Sequence, residues 1–495
     1  MNRALTRLSL AILAMFVLLL VKVNYVQAFQ AGSLASEAGN VRTFNQQFEY
    51  QRGSIIAGGD QGAGTTIAES VPVKGSSNTY QRYYPDGPAY APVTGFNSVY
   101  GSTGIEQAYQ QYLAGTAPSL TVHNLISLLT GKPKQGAAVY LTISAKAQQA
   151  AYQALLSDGG HDAAAVAIDP STGAILAMAS VPTFNPNELT TLNGTKFDQI
   201  DKQLLTDPAQ PLLNRAINAT YPPGSSFKIV TSSAAFSTGT LSGVNATVNA
   251  PQPLTLPNGN LLNNDGGETC GDGSPPVIEA FYLSCNTAFG NIGMQVGGTA
   301  LNSYATKFGM NNSNLTIPMP VSASNVPVVT DKSLTAYTAI GQYNDQLTPL
   351  QEAMDAAAIA NHGTLMRPYL LKYVQAPDLQ TIDTTTPSVL SQPVTPQVAS
   401  EVGQMMVQVT QNPAGTAYQS AGPPAVGSGL VIAGKTGTAE TGADATDLND
   451  AVFTCYAPAS NPRIAVGVMV QGGGFGADAA APIAVKIIQA YLGAQ

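Results

Sequence analysis

An apolar segment near the N-terminus determines on which side of a membrane most of this chain folds. Residues 8–21 contain Ser9 as their single polar residue, and Arg3 and Arg7 precede them. A positive flank at the N-terminal side of an apolar segment stays in the cytoplasm and directs the following residues outward. We therefore expect the remainder of the 495-residue chain to fold outside the cytoplasm.

The same segment predicts how the chain is attached. The Lys22 side chain can reach the lipid–water interface, so residues 8–29 are long enough to cross a bilayer. We expect a cytoplasmic end at residues 1–7, a single-pass anchor in the cell membrane at 8–29, and an extracytoplasmic body. The triplet Val26-Gln27-Ala28 resembles a signal-peptidase site, which leaves a cleaved signal peptide as the alternative.

The composition excludes some broad classes of protein. With 44% hydrophobic and 10% charged residues, the chain is globular rather than disordered, and its length favours two or three domains. The net charge of −8 argues against a nucleic-acid partner, because binding to nucleic acid requires a basic face.

The few cysteines and histidines argue against a metal site. No C-x-x-C pair is present and the histidines are far apart, so we expect no metal and no cofactor. The six residues are Cys270, Cys285, Cys455, His123, His161 and His362. In an exported protein Cys270 and Cys285 can form a disulfide and leave Cys455 free, and three buried thiols are the equal alternative.

The pattern of apolar segments divides the chain near residue 140. Residues 30–140 are rich in Gly, Ser, Tyr and Gln and contain few periodic segments, which indicates a smaller, extended, non-catalytic domain. Residues 141–495 predict an α+β domain in which an antiparallel sheet is built from both ends and packed by helices. Its predicted strands are 163–169, 174–180, 429–434, 451–456 and 464–471, and its predicted helices include 145–156, 349–361, 395–410 and 481–492.

One segment fits two incompatible patterns. Gly429–Thr436 matches the phosphate-binding sequence G-x-x-x-x-G-K-[ST], which requires a preceding strand, a bend and a following helix. Here residues 422–428 form a Gly- and Pro-rich loop, and residues 430–432 are β-formers. We therefore expect residues 429–440 to be a strand that contains the triplet Lys435-Thr436-Gly437.

Residues 225–228, Ser-Ser-Phe-Lys, form the pattern S-x-x-K at a predicted helix start. Ser225 and Lys228 then lie one turn apart on one helix face. The positive end of the helix dipole favours negative charge at Ser225. A desolvated Lys228 near another cation loses proton affinity and can act as a base at neutral pH. By itself this pattern is expected by chance about once in a chain of this length.

Two further patterns follow along the chain. Ser284 and Asn286 form S-x-N, whose hydroxyl and amide can pass a proton and hold a substrate amide, although a helix N-cap is the simpler interpretation of this triplet alone. Lys435-Thr436-Gly437-Thr438 supplies a cation, two hydroxyls and a glycine that leaves room for substrate at a strand edge. Alternate residues of a strand face opposite sides.

The three patterns in this order are typical of penicillin-binding proteins and serine β-lactamases. The chain resembles a class B penicillin-binding protein, a monofunctional peptidoglycan D,D-transpeptidase, of the short type of high-GC Gram-positive bacteria. The resemblance extends over roughly residues 50–490. Further matching segments include Arg52-Gly53-Ser54-Ile55, residues 169–182, Asn214-Arg215-Ala216, Thr348-Pro349-Leu350-Gln351 and Asn461-Pro462-Arg463.

The resemblance implies a catalytic role for five residues. Ser225 would be the acylated nucleophile and Lys228 its general base. Ser284 would pass a proton towards the leaving D-alanine, and Asn286 would bind the substrate backbone. Lys435 would stabilise the network formed by Lys228 and Ser284.

The resemblance also implies how substrate is held. Thr436 and Thr438 would bind the terminal carboxylate beside Gly437, and the backbone N–H groups of Ser225 and Thr438 would form an oxyanion hole. Such a donor contributes roughly 3–4 kcal/mol in comparable hydrolases. The implied ligands are peptidoglycan stem peptides ending in D-Ala-D-Ala, with β-lactams as inhibitors. No glycosyltransferase domain fits before residue 140, so a partner would polymerise the glycan.

The sequence departs from the family pattern in three places. Cys285 occupies the middle of S-x-N, the usual Asp-Arg-Asn-Gly is absent after Ile55, and the chain contains no Trp, although many relatives have one near position 453.

Other functions remain as alternatives. A class A β-lactamase has a Glu in Glu-x-x-x-Asn after S-x-N, whereas no Glu occurs here between Asn286 and Glu352. A D,D-carboxypeptidase shares the acylation step. A non-catalytic division scaffold would not need Lys228 or Lys435. A Ser-His-Asp hydrolase lacks support because no G-x-S-x-G occurs and no histidine lies in a motif.

Overall fold

The structure is a computed structural model. It describes residues 3–30, 47–58, 64–75, 79–131, 133–157, 162–427, 429–440 and 449–493. Parts of three of the predicted regions lie outside these residues: positions 1–2 of the cytoplasmic end, positions 31–46, 59–63, 76–78 and 132 of the non-catalytic domain, and positions 158–161, 428, 441–448 and 494–495 of the α+β domain, His161 among them.

Two of the longer helices begin at a capping threonine. Thr348 and Thr395 each accept a hydrogen bond from the third residue of the following helix, and each precedes a proline. The helices are α1 Arg3–Tyr25, α2 Gly87–Thr94, α3 Gly104–Ala108, α4 Gln110–Leu113, α5 Thr121–Leu129, α6 Ala145–Leu156, α7 Gly194–Thr206, α8 Arg215–Asn218, α9 Lys228–Ser237, α10 Val277–Tyr282, α11 Asn286–Val296, α12 Gly298–Lys307, α13 Lys332–Thr338, α14 Pro349–Ala360, α15 Pro396–Gln411, α16 Tyr418–Ala421, α17 Pro423–Val426 and α18 Ala480–Leu492.

The strands form two larger sheets and two short ribbons. They are β1 Ile55–Ala57, β2 Thr65–Pro72, β3 Tyr80–Tyr83, β4 Ala138–Leu141, β5 Ala163–Ile168, β6 Ile175–Val181, β7 Leu254–Thr255, β8 Leu261–Leu262, β9 Leu365–Met366, β10 Leu371–Gln375, β11 Thr381–Thr384, β12 Val389–Ser391, β13 Ala433–Ala439, β14 Asp450–Ala457 and β15 Ile464–Val470.

A five-stranded antiparallel sheet, in the order β13-β14-β15-β5-β6, forms the centre of the C-terminal part. Helices α6 and α18 pack against it from the ends of this part of the chain, and α14 packs against β5, β14 and β15. All residues of β5, β6, β14 and β15 are buried, as expected for strands covered on both faces. The predicted α+β class, with one sheet built from both ends, is confirmed.

The strand predicted for residues 429–440 begins four residues later than expected. Residues 429–432 are not in a strand, and β13 begins only at Ala433. β13 pairs with β14, which ends at Ala457 opposite the start of β15, so the preceding β-formers have no partner strand. Residues 87–90 form the start of α2, with a proline in its first turn.

A six-stranded sheet, in the order β11-β10-β4-β1-β2-β3, contains most of the N-terminal strands. Strands β10 and β11 come from residues 371–384, far along the chain. β11 pairs with β10, and the pairing of β10 with β4 joins the N-terminal strands to the C-terminal part through backbone hydrogen bonds. This pairing was not predicted, because β10 and β11 are short and only half-buried.

A buried ionic cluster stabilises this N-terminal part. Glu106 accepts hydrogen bonds from Arg52 Nε at 2.6 Å and Arg82 Nε at 2.5 Å, and the Tyr84 hydroxyl lies 3.2 Å from the same carboxylate. Burial acts to raise the pKa of Glu106, but the two guanidinium groups outweigh this effect and lower it.

The N-terminal helix is long and apolar enough to cross a membrane over residues 6–25, and its apolar side chains are exposed, for example Leu18 at 69%. One π-helical turn, Val26–Gln30, continues it.

Candidate active site

Ser225 lies in a single 3-10 turn, Gly224–Phe227, that leads directly into the buried helix α9. The backbone N–H of Gly224 donates to the carbonyl of Gly341 at 2.9 Å and so fixes the start of the turn. Lys228, the first residue of α9, is fully buried, and its Nζ lies 2.9 Å from Ser225 Oγ. The one-turn spacing therefore brings the hydroxyl and the amine into contact.

The S-x-N residues approach the same amine from the junction between α10 and α11. Lys228 Nζ donates to the backbone carbonyl of Ser284 at 2.7 Å and to Asn286 Oδ1 at 2.8 Å. Ser284 has a φ of 62°, and Asn286 is the first residue of α11. Cys285 between them forms a disulfide with Cys270, which ties this junction to the loop that precedes α10.

Strand β13 supplies the second lysine. Lys435 is fully buried, and its Nζ donates to Ser284 Oγ at 2.8 Å and to the Thr436 carbonyl at 2.9 Å. The Thr436 hydroxyl lies 2.8 Å from the hydroxyl of Thr416. The Ser284 hydroxyl therefore lies between two amines, since Lys228 Nζ is 3.3 Å from the same oxygen.

Two glycines allow the turn that contains Ser225 to lie directly on β13. A Cβ atom on Gly437 would overlap with the Pro223 carbonyl oxygen, and one on Gly224, which has a φ of 55°, would overlap with the Thr438 backbone. This close approach places the backbone of Ser225 beside that of Thr438. The two N–H groups that the resemblance assigns to an oxyanion hole thus come from neighbouring segments.

The hydrogen bonds of Lys228 can be satisfied by a neutral amine. A neutral amine has two N–H groups and one lone pair, and the Ser284 carbonyl and Asn286 Oδ1 can only accept. In the neutral form these two contacts occupy both N–H groups and leave the lone pair to accept the hydroxyl proton of Ser225, whereas a charged amine donates to Ser225 Oγ. This is the geometry that a general base requires, with the two heavy atoms within hydrogen-bond distance.

Electrostatics point the same way. Burial lowers the pKa of Lys228 well below its ordinary value, and the charge of Lys435 lowers it further. Burial also lowers the pKa of Lys435, to about 7. The Asp265 carboxylate opposes both shifts. Lys228 is therefore the amine that loses its proton first, and Lys435 is the one that keeps a positive charge at slightly acidic pH.

Several residues around the site have no signal in the sequence. Asp265 accepts a hydrogen bond from Asn286 Nδ2 at 3.1 Å, and the Phe289 and Phe281 rings lie 5.5 and 5.7 Å from the Nζ atoms of the two lysines. These contacts arise from distant segments, so no local pattern predicts them. Ser226, which follows the nucleophile, is different, because its position inside S-x-x-K places it beside the site from the sequence alone.

A groove of about 690 Å³ lies elsewhere, between α2, α3, α7 and residues 318–320, and none of the eight predicted catalytic and substrate-binding residues lines it. The candidate active site rests on the geometry of its side chains rather than on cavity size.

Comparison with known proteins gives the same assignment. The penicillin-binding protein transpeptidase domain matches residues 163–489. The chain is a penicillin-binding protein. The dimerisation domain of penicillin-binding protein A matches residues 52–139 of this penicillin-binding protein.

Curated relatives cover the whole chain. The peptidoglycan D,D-transpeptidase PbpA of Mycolicibacterium smegmatis is 40% identical over 99% of both chains. The protein of the same name from Mycobacterium tuberculosis is 39% identical, again over 99% of both chains.

This penicillin-binding protein has the same fold as solved structures of a relative. Penicillin-binding protein A from M. tuberculosis, as an imipenem acyl-enzyme complex, has a TM-score of 0.83 and 38% identity, covering 90% of this chain and 100% of that one. The penicillin G acyl-enzyme complex of the same protein has a TM-score of 0.82 with the same identity and coverage.

Proposed function

We propose that this chain is a serine-type peptidoglycan D,D-transpeptidase that cross-links stem peptides through an acyl-enzyme and is inhibited by penicillin. The observation that supports it best is the contact between Ser225 Oγ and Lys228 Nζ, at 2.9 Å, in a site where both N–H groups of a neutral lysine are already occupied. Membership of the penicillin-binding proteins and the acyl-enzyme structures of a relative support the same reaction.

The acylation step follows from these contacts. Lys228 accepts the Ser225 proton, and the Ser225 oxygen forms a bond to the carbonyl carbon of the penultimate D-alanine. The backbone N–H groups of Ser225 and Thr438 would stabilise the resulting oxyanion. The bond to the terminal D-alanine then breaks, and its nitrogen receives a proton through Ser284, which Lys435 holds at 2.8 Å.

The remaining site residues are assigned to substrate binding. Asn286 would bind the substrate backbone, and the Thr436 and Thr438 hydroxyls would bind the terminal carboxylate beside Gly437. Attack by the amine of a second stem peptide on the ester would then form the cross-link and release Ser225.

Hydrolysis of the ester, as in a β-lactamase, has less support. Glu352 is the first Glu after Asn286, and both of its carboxyl oxygens are occupied, one by the Ser226 hydroxyl at 2.9 Å and one by the Thr454 hydroxyl. It is 1% exposed, so it cannot orient a water molecule on the substrate side. D,D-carboxypeptidation, which uses the same acylation, is distinguished by the product formed when an amine acceptor is present.

We propose the following organisation for the chain: a cytoplasmic end at 1–7, a membrane anchor at 8–29, a non-catalytic domain at 30–140 and the transpeptidase domain at 141–495. The apolar helix over residues 6–25 supports an anchor in the cell membrane with the enzyme outside. A separate glycosyltransferase would supply the glycan strands. The mass of the mature protein tests the anchor, since cleavage after Ala28 removes the first 28 residues.

The test of function is the intact mass of the full chain after incubation with benzylpenicillin. A single adduct is expected on the wild type and none on Ser225→Ala, with the Ser226→Ala variant still labelled. Equal labelling of Ser225→Ala would refute the assignment. Restored growth of a depleted strain by Ser225→Ala would instead indicate a non-catalytic scaffold.

A further inference from the structure

Helix α14 contains two buried acidic residues among apolar ones. All twelve residues of this helix are buried, and most of them are Ala, Leu, Ile or Met. Glu352 is 1% exposed and Asp355 is 3% exposed. A carboxyl group in such surroundings is destabilising unless it is neutral or fully hydrogen-bonded. The contacts of Glu352 therefore indicate why it lies there.

Glu352 connects two segments of the active site from behind. One carboxyl oxygen lies 2.9 Å from the hydroxyl of Ser226, the residue that follows the nucleophile. The other oxygen contacts the hydroxyl of Thr454 on β14. Thr454 is directly opposite Lys435 in the strand register. A single carboxyl group thus joins the turn that contains Ser225 to the strand beside the one that contains Lys435.

The number of hydrogens available in this chain of contacts favours one protonation state of Glu352. The Ser226 hydroxyl lies 2.9 Å from the Pro223 carbonyl and 2.9 Å from Glu352 Oε1, and it has only one hydrogen. If Glu352 is ionised, both of these neighbours can only accept, so the single hydrogen of the Ser226 hydroxyl cannot serve both. If Glu352 is protonated, it donates to Ser226, and Ser226 donates to Pro223. Thr454 then donates to the second carboxyl oxygen.

The surroundings of Glu352 favour the protonated form. Burial raises the pKa of Glu352 to about 7, while the hydrogen bonds from Thr454 and Ser226 partly oppose this shift. Asp355, one turn along the helix, has a raised pKa for the same reason and interacts with Glu352. Lys435 is the cation on the neighbouring strand. The elements packed against α14 also contain the titratable side chains Arg215, Glu401, Asp450, Cys455 and Tyr456. None of these five hydrogen-bonds to Glu352, and Arg215 is paired with Asp162.

The Pro223 carbonyl links this chain of contacts to the contact between the Ser225 turn and strand β13. It lies against Gly437 of β13, where a Cβ atom would overlap with it. Its orientation therefore sets how the turn that contains Ser225 rests on the strand that contains Lys435. A donor that holds this carbonyl also fixes the N–H and Oγ of Ser225 relative to Thr438.

We propose that Glu352, as a protonated carboxylic acid, is a positioning residue for acylation: through Ser226 it holds the Pro223 carbonyl and thereby the turn that presents Ser225. This inference rests on the proposed function, because it concerns the rate at which Ser225 is acylated. Glu352 does not touch the substrate. Ionisation of Glu352 would remove the donor for Ser226, loosen the turn and slow acylation without weakening the first encounter with the ligand.

The experiment compares Glu352→Gln, which cannot ionise but keeps one donor and one acceptor, with Glu352→Leu, which has neither. Acylation of the full chain in detergent by a fluorescent penicillin is followed at pH 6 and pH 8.5, and the maximal rate is separated from the half-saturating concentration. Asp355→Asn is the matched control, since it neutralises a buried acid on the same helix that does not contact Ser226.

We expect Glu352→Leu to lower the maximal acylation rate about tenfold or more at pH 6 with an unchanged half-saturating concentration, and Glu352→Gln to restore it. The ratio of the Glu352→Gln rate to the wild-type rate should rise about tenfold between pH 6 and pH 8.5. Taking this ratio cancels the titration of the two lysines. The ratio of the Asp355→Asn rate to the wild-type rate should be the same at pH 6 and pH 8.5.

Two results would overturn the proposal. One is a Glu352→Gln rate that follows the wild type at both pH values. The other is a Glu352→Gln rate more than tenfold lower at pH 6 in a variant with an unchanged unfolding midpoint. Either can be obtained even if Glu352→Leu does not fold. Failure of the transpeptidase assignment has a different signature, since the wild type itself would then not be labelled.

Discussion

At the scale of single residues, the site depends on how two buried amines divide one positive charge. Lys228 and Lys435 are both fully buried and share the Ser284 hydroxyl. Two charged amines at such short range repel each other, and burial together with the charge of Lys435 lowers the pKa of Lys228, so Lys228 is the one expected to be neutral. Asp265 limits the effect, because its carboxylate raises the pKa of both amines. A base and a cation are thus obtained from two identical side chains.

Replacement of Lys228 tests the first of these roles. We expect Lys228→Ala to slow acylation by benzylpenicillin by about 10³-fold, within the range of general base contributions. Lys228→Arg should be equally slow, because a guanidinium keeps its charge and cannot accept the Ser225 proton. Lys202→Ala, at an exposed position of α7, is the control. Substantial activity in Lys228→Arg would mean that Lys228 acts only as a cation.

The pH dependence of acylation tests the division of charge. The base must be neutral, and burial and the charge of Lys435 favour the neutral form by lowering the pKa of Lys228 well below its ordinary value. Lys435 has a pKa of about 7 and loses its charge above it. The acylation rate should therefore fall as the pH rises through about 7. Asp265→Asn removes a carboxylate that raises this pKa and should move the fall to lower pH.

Rates of labelling by a fluorescent penicillin between pH 5 and pH 9 provide the measurement. Asp272→Asn, an exposed acid in the same loop, should leave the profile in place. A rate that rises steadily from pH 6 to pH 9 would contradict the role of Lys435 as the charged partner.

At the scale of elements, the site is the contact between one turn and one strand. The turn Gly224–Phe227 and strand β13 approach so closely that each requires a glycine at the contact. Neither element alone brings a reactive group to substrate. Their separation sets the distance between Ser225 on the turn and the backbone N–H of Thr438 on the strand.

Gly224→Ala tests this contact. Its Cβ atom would overlap with the Thr438 backbone, which cannot move without breaking the pairing of β13 with β14. We expect acylation by benzylpenicillin to fall at least 100-fold, as about 3–4 kcal/mol of oxyanion stabilisation is lost. Gly239→Ala also has a positive φ, of 75°, but nothing lies within 4 Å of its Cβ position, so it controls for backbone strain alone. Equal losses in the two variants would show that strain, not the contact, matters.

A contact in the site could be predicted from the sequence only where the two residues are close together along the chain. Ser225 and Lys228 were predicted to meet because a helical turn joins them, and the structure places them 2.9 Å apart. Ser284, Asn286 and Lys435 were placed beside them only through the resemblance, since their distances depend on tertiary packing. Asp265 and Glu352 were not predicted as parts of the site, because their partners lie 21 and 126 residues away along the chain.

At the scale of the whole molecule, the N-terminal strands and the C-terminal part share one sheet. Strand β4 pairs with β1 on one side and with β10 on the other, so the six-stranded sheet contains segments from both parts. The ionic cluster of Arg52, Arg82 and Glu106 lies in the N-terminal part of this arrangement. Loss of the N-terminal fold should consequently remove the partner of β10 and affect the C-terminal part.

Glu106→Ala tests this coupling. It leaves two buried guanidinium groups without their carboxylate, and we expect the free energy of unfolding to fall by about 3–5 kcal/mol. In a urea titration of the full chain in detergent, the urea concentrations at which β2 exchanges its amide hydrogens and at which penicillin labelling at Ser225 is lost should both fall by the same amount. Glu49→Ala, at an exposed position of the same part, should shift neither. Labelling that survives at urea concentrations where β2 exchanges fully would mean that the two parts unfold independently, despite the sheet they share.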